Sequence, residues 1–283
     1  MKIFHFKKEL SEYLKAIKNE DRSVGLVPTM GALHDGHQSL VEKAMSDNDE
    51  VVVSIFVNPT QFNNKEDLIK YPRTLDRDVD FLKNISGNKI IIYAPSPEDV
   101  YDGNVASKNF NFKGLDSVME GAFRPGHFDG VGTVVKRLLE IVKPNKAYFG
   151  EKDFQQLAII KKMVEIHNLP SKIIGCDIYR AEDGLAMSSR NERLKPKYRE
   201  AAPFIYKTLK SAKQKFGTKS ANKVSEWVKK QFKSHPLLEL EYFTIADDKT
   251  LKPVNRKSNK KNYRAFIAVY AGDVRLIDNI ALN

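Results

Sequence analysis

The chain has 283 residues, 41% hydrophobic and 29% charged, enough for one large domain or two modest ones around an ordinary soluble core. Lysine and arginine outnumber the acids 47 to 36, a formal charge of +11; this suits nucleic acid, a negatively charged small molecule, or a general habit of lysine usage. No run approaches eighteen apolar residues, which excludes a membrane-spanning helix, and a single cysteine, Cys176, excludes an intrachain disulfide and fits a reducing cytoplasm.

The opening stretch, "MKIFHFKKELSEYLKAIKNE", has neither the apolar core nor the cleavage site of a secretory signal, so a cytoplasmic protein is expected. Short apolar runs then alternate with longer amphipathic ones. "VGLVP" (24–28) reads as a strand, and "HQSLVEKAMSDN" (37–48) as a helix. "EVVVSIFVN" (50–58) is a second strand. "TLDRDVDFLKNI" (74–85) carries Leu75, Val79 and Leu82 at helical spacing. "KIIIYAPS" (89–96), "KAYFG" (146–150) and "KIIGCDIYR" (172–180) are further strands, with Cys176 inside the last as an inert thiol. "GVGTVVKRLLEIVKP" (130–144) and "DFQQLAIIKKMVEIHNLP" (153–170) are helical, the latter stopped by Pro170. Several strands are apolar throughout, as parallel strands covered on both faces are. The alternation predicts an α/β, doubly wound parallel-sheet, Rossmann-like N-terminal domain over residues 1–185.

Beyond about residue 193 the pattern changes. "YREAAPFIYKTLKSAKQKFG" (198–217) and "SANKVSEWVKKQF" (220–232) are helical, and "LELEYFTIADD" (238–248) and "YRAFIAVYAGDVRLIDNI" (263–280) are strand-like. They predict a smaller α+β C-terminal domain, 186–283, that closes over the site. No linker rich in Gly, Pro or Ser separates the two parts, so close packing is expected. The lysine-rich run at 251–264 comes without zinc-finger spacing or an aromatic RNA-binding signature and reads as a solvated loop.

Two motifs carry chemistry. "HDGH", His34 to His37, follows the first strand and opens a helix. Ligands bind at the carboxyl ends of strands in such sheets, and a helix N-terminus suits a phosphate. Two imidazoles three apart can flank one oxygen; alone, they could equally be surface histidines. Far downstream, "EDGLAMSSRNERL" puts Ser188, Ser189 and Arg190 in a polar loop. Hydroxyls, amides and a guanidinium make a phosphate clamp; a helix cap is the other reading.

The chain resembles the pantothenate synthetase (pantoate–β-alanine ligase) family of the HxGH nucleotidyltransferase superfamily. The resemblance rests on "PTMGALHDGH", "SIFVNPTQF", "YPRTLDRD", "MEGAFRPGHFDGVGTVV", "FGEKDFQQL", "DGLAMSSRN" and "YFTIADDKTL", in the family's order and over nearly the full length. It implies an ATP site at Met30, Gly31, Ala32, Leu33, His34, Asp35, Gly36 and His37, with His34 on the phosphates and His37 as proton donor. It extends that site to Gly150, Glu151, Lys152 and Asp153, and to Met187, Ser188, Ser189 and Arg190. Lys152 faces phosphates. Tyr179 supplies a backbone contact, where the family usually has a smaller aliphatic residue. Gln61 and Gln156 are implied on pantoate, Gln61 also bordering β-alanine, although as isolated residues both could be ordinary capping or surface amides. Asp78 is a candidate for reaching Mg2+, with a plain helix-surface charge as the other reading. Arg124 and His127 stand outside the catalytic set as loop residues, and His5, His167 and His235 have no motif around them.

The implied reaction joins pantoate to β-alanine at the expense of ATP, through pantoyl adenylate, with His34, His37, Lys152, Ser188, Ser189 and Arg190 stabilising charge at phosphorus. A homodimer is implied as well. Another adenylyl- or cytidylyltransferase would share the histidines but lack the glutamines of "NPTQF" and "FGEKDFQQL". A basic nucleic-acid module would explain the charge but neither motif.

Overall fold

The computed structural model describes residues 1–63, 65–85 and 89–283. The first part runs β1 (Lys2–Phe4), α1 (Lys7–Asn19), β2 (Val24–Thr29), α2 (Asp35–Asp47), β3 (Glu50–Ile55), α3 (Lys65–Lys70), α4 (Leu75–Ile85), β4 (Ile90–Tyr93), α5 (Pro97–Tyr101), α6 (Met119–Phe123), α7 (His127–Val142), β5 (Lys146–Gly150), α8 (Phe154–Ile166) and β6 (Lys172–Cys176). Its six strands form one parallel sheet in the order β1-β4-β3-β2-β5-β6. β3 and β4 are β-branched and almost wholly buried, which is why their sequences show no polar alternation. One face packs on α1, α7 and α8 through residues such as Leu10, Leu14, Val135 and Ile160. The other packs on α2 and α4 through Leu40, Val41, Val79 and Leu82. The doubly wound α/β expectation holds.

The strand order sets the place of the site. From β2 the chain winds outward through β3 and β4, and then β5 returns to the other side of β2. The order therefore reverses between β2 and β5, and a crevice opens there at the strands' carboxyl ends.

The second part runs α9 (Pro196–Ala201), α10 (Phe204–Thr218), α11 (Ala221–Lys233), β7 (Leu238–Asp247), β8 (Tyr263–Ala271) and β9 (Val274–Ala281). Its three strands are antiparallel in the order β7-β8-β9. Leu209, Phe216, Val228 and Phe232 pack on Ile245, Ile267 and Val269 in a separate core.

Three expectations change in detail. The strand-like run at 263–280 is a hairpin, turning at Gly272 with φ +65°. The helical run at 198–217 is two helices, because Pro203 cannot continue α9. The strand expected to reach residue 180 ends at Cys176; β6 is an edge strand, half-buried rather than covered on both faces. The helix α1 and strand β1 were not anticipated. Among the described residues no helix is long and apolar enough to cross a membrane.

Candidate active site

The loop after β2 reaches the crevice in a tight double turn. Gly31 and Ala32 take left-handed backbones in succession, φ +83° and +49°, a conformation that costs Ala32 strain. Asp78, buried on α4, holds that turn: its carboxylate accepts the N–H of Ala32 at 3.0 Å and of Leu33 at 2.7 Å. Thr74 Oγ1 donates to the same group at 3.3 Å. From the other side the buried Ser189 hydroxyl donates to the Ala32 carbonyl at 3.1 Å. The carboxylate proposed for Mg2+ thus faces the loop's backbone; the structure does not bring it to the crevice floor with the histidines.

Backbone donors set the histidine tautomers. The Gly36 N–H donates to His34 Nδ1 at 3.1 Å, and the His34 N–H donates to His37 Nδ1 at 3.3 Å. Both Nδ1 atoms are acceptors, which leaves the proton of each neutral ring on Nε2. A side chain at position 36 would put its Cβ 2.9 Å from His34 Cε1, so the folded-back ring requires glycine there. The rings lie 4.0 Å apart, centroid to centroid. Burial, and then the charge of Lys152, push His34 down to about 4. Burial, then His34 and Lys152, hold His37 well below its ordinary value. At neutral pH the pair therefore offers two N–H donors and no positive charge; the charge at the crevice comes from Lys152 and Arg190.

Lys152 stands at the end of β5, in a short 3-10 turn (Glu151–Asp153) leading into α8. The adjacent glutamines divide: Gln155 is buried, accepting from the Glu120 N–H and donating to the Leu115 and Val118 carbonyls, whereas Gln156 faces the crevice. Gln61 ends a 3-10 turn (Pro59–Gln61) and is held by its backbone. His127 Nδ1 donates to the Gln61 carbonyl at 2.8 Å, and Arg124 Nη1 donates to His127 Nε2 at 3.1 Å. Burial, and then Arg124, push His127 to about 4, so it too is neutral. Arg124 and His127, set aside as loop residues, are the support of Gln61; "FRPGHFDG" was the available signal.

Ser188 caps the 3-10 turn Ser189–Arg193 through the Arg190 N–H at 3.3 Å, so the cap and the crevice-facing loop are one feature. Arg190 Nη2 donates to Asp67 at 2.8 Å and Arg193 Nη1 to its other oxygen at 3.0 Å, contacts unannounced by sequence. Tyr179 lines the crevice, 44% exposed, and its carbonyl accepts the Met187 N–H at 3.0 Å.

Met30, His34, Gly36, His37, Gln61, Gly150, Lys152, Asp153, Gln156, Tyr179 and Met187 to Arg190 thus share one cavity of about 230 Å3. Lys152, Asp153, Ser188 and Arg190 also border a second chamber of about 380 Å3, which runs between the two sheets toward Arg124 and Arg275. Gly31, Ala32 and Leu33 form the loop behind, Asp35 points to solvent, and Glu151 turns away to Arg264 at 3.1 Å.

Comparison with known proteins agrees with this geometry. The Pantoate-beta-alanine ligase family model matches residues 2–281. A pantothenate synthetase of Flavobacterium psychrophilum is 56% identical over 282 residues, all of both chains, and one of Christiangramia forsetii is 55% identical over 283 residues. A pantothenate synthetase structure from Thermus thermophilus superposes with a TM-score of 0.90 at 38% identity, covering 100% of this chain and 99% of that one. A pantoate–β-alanine ligase from Francisella tularensis, solved with β-γ ATP and β-alanine, superposes with a TM-score of 0.80 at 37% identity, covering 100% and 98%.

Proposed function

The chain belongs to the pantoate–β-alanine ligase family, and from that premise we propose how its own residues carry the reaction. It is an enzyme that ligates pantoate to β-alanine with ATP. The finer reading is stepwise. A pantoate carboxylate oxygen attacks the α-phosphorus of ATP, the α–β phosphoanhydride bond breaks, and pyrophosphate leaves. The β-alanine amine then attacks the acyl carbon of pantoyl adenylate, the acyl–phosphate bond breaks, and AMP leaves. No side-chain nucleophile is required. Cys176 sits at the end of β6, and burial raises its thiol pKa, so it is a poor nucleophile.

One observation carries this reading: loops after β2 and β5 and the Ser188–Arg190 loop meet at the switch point, with Gln61 and Gln156 beside them. His34 and His37 give neutral Nε2–H donors to phosphate oxygens; Lys152 gives charge; Ser188, Ser189 and Arg190 close the other side. Preorganised donors of this kind act where charge develops, without reorganising during the reaction. Neutral amides suit pantoate, whose hydroxyls and carboxylate need both donors and acceptors.

Among the described residues no three acidic, His or Cys side chains gather to hold a metal ion by themselves, so a magnesium ion would come in on the triphosphate. Such an ion keeps waters and phosphate oxygens and takes one or two carboxylates. Asp153 offers a half-exposed carboxylate at the crevice, 3.8 Å from Lys152 Nζ; we give it this role in place of Asp78, which the backbone occupies. Held there, magnesium would supply charge neutralisation for the departing pyrophosphate. The same proposal includes a closing C-terminal part (186–283), a homodimer and a cytoplasmic location, as the family resemblance implies.

The test is a pair of assays. With ATP, magnesium, pantoate and β-alanine, AMP and pantothenate should form in equal amounts. Labelled pyrophosphate should exchange into ATP only when pantoate is present. Exchange that ignores pantoate contradicts the proposal.

A further inference from the structure

The C-terminal sheet reaches into the phosphate site from behind. Asn279, near the end of β9, is 2% exposed. Its Nδ2 donates to the Glu151 carbonyl at 2.8 Å and to the Lys152 carbonyl at 2.9 Å. Its Oδ1 accepts Arg264 Nη1 at 2.6 Å. The same Arg264 donates to Glu151 Oε2 at 3.1 Å and lies over the Phe154 ring. The amide's two donors and its oxygen are all used. An unbonded buried amide is costly, so these bonds define one orientation. The next residue inward, Asp278, anchors the strand: Arg180 grips it at 2.7 and 2.9 Å, while its Nη1 also holds the Gly184 carbonyl at 3.1 Å. Arg180 pairs in turn with Ala186, one residue before the Met187–Arg190 loop.

Lys152 brings its ammonium to the crevice beside the Arg190 guanidinium, yet its turn is only three residues long and, among the described residues, its side chain makes no bond tighter than the 3.8 Å approach to Asp153. Its carbonyl accepts from a side chain 127 residues away, on the other sheet. We propose that Asn279 is a positioning residue for the known reaction: it holds the Glu151–Lys152 carbonyls so that the Lys152 ammonium meets the triphosphate in register with the Ser188–Arg190 loop. This rests on the assignment of Lys152 to the phosphates made above.

The experiment is a double-mutant cycle in the intact enzyme, read as pantoate-dependent pyrophosphate release. Asn279→Leu removes both donors and keeps the volume. A misplacement near 1 Å costs on the order of a hundredfold, so kcat should fall roughly tenfold to a hundredfold while KM for pantoate stays within about threefold. In a Lys152→Ala background the same change should cost less than about twofold, because a residue that acts through Lys152 has nothing left to position. If Asn279→Leu does not fold, Asn279→Ser fits the space and carries the same cycle. Equal losses in both backgrounds would overturn the positioning role and leave the assignment of Lys152 standing. A fully active Lys152→Ala single variant would overturn that assignment, and the proposal with it.

Discussion

The carboxylate of Asp78 accepts the backbone N–H of Leu33 at 2.7 Å, across 45 residues of chain, and so locks the turn that delivers His34 and His37. Ala32 beside it has a left-handed backbone that this lock sustains. Asp78→Asn keeps the shape but sets an NH2 group against one of the two N–H donors. Stability should fall by about 1.5–3 kcal/mol, the scale of hydrogen bonds to a charged group. Pyrophosphate release should fall on the order of tenfold or more as the loop shifts. Denaturant unfolding and the release assay check both; a variant as active as the parent would show that the turn holds itself.

The buried neutral histidines make stability depend on pH. His34 and His127 titrate near 4 in the folded chain, His37 well below its ordinary value, and 6.5 is the ordinary value for all three. Between 6.5 and 4 the unfolded chain binds more protons than the folded one, so stability is lost as pH falls through that window. Thermal unfolding without ligands should show a falling Tm there, with a shallower fall in His127→Gln. A Tm flat from pH 7 to 4.5 in the parent would contradict neutral, buried rings.

Arg275 on β9 joins the C-terminal sheet to helix α6 of the first part. It grips Glu120 on α6 with Nη1 and Nη2 at 2.8 and 2.7 Å, and Glu241 on β7 through Nε at 3.0 Å. Tyr242 donates to Glu120 at 2.8 Å. Arg275→Met leaves the largely buried Glu241 without its cation and leaves Glu120 with only Arg124, at 3.6 Å. Because some solvent reaches the cluster, the cost should sit at the low end of the range for a broken buried pair, about 3 kcal/mol. Limited proteolysis should also find the hairpin of β8 and β9 more accessible. Unchanged stability and protection would mean that the two parts dock without this cluster.

The lysine-rich loop should be dispensable for chemistry, although Lys257 and Lys261, the latter 3.1 Å from the buried Asp247, contribute to stability. Lys252 and Lys260 are exposed, and changing both to serine should leave turnover within a few-fold. Lys257 Nζ donates to the Phe216 carbonyl and reaches Gly217 at 3.4 Å, near the C-terminal end of α10. Lys257→Ser should cost about 0.3–1 kcal/mol, as a lost cation at a helix C-terminus does. A large loss of turnover in the double variant, with folding intact, would place this loop in the site.

The sheet was legible because β3 and β4 are buried on both faces and spell it out in β-branched residues, and the helices because Leu75, Val79 and Leu82 repeat at the right spacing. β1 is three residues with two exposed, too short for any period to register. The histidines, Lys152, both crevice glutamines and Ser188–Arg190 could be read from local motifs. Asn279, Asp67 and Asp78 could not. Their partners lie 127, 123 and 45 residues away, and a side chain that holds a distant backbone carries no local pattern. Asp78 shows the cost: its sequence leaves it open between reaching Mg2+ and a plain helix-surface charge, and neither reading foresees that its oxygens hold the Ala32 and Leu33 N–H groups.

The stepwise adenylate is the central claim, and a rapid-quench time course tests it most directly. Enzyme, ATP, magnesium and pantoate are mixed without β-alanine, and pyrophosphate and AMP are followed; β-alanine is then added. On the proposed closure of the C-terminal part and the proposed contacts from Gln61 and Gln156, an adenylate should be shielded from water and persist. The account predicts a burst of about one pyrophosphate per active site, with little AMP, and then AMP release on addition of β-alanine. Pyrophosphate and AMP appearing together, and only once β-alanine is present, would contradict it.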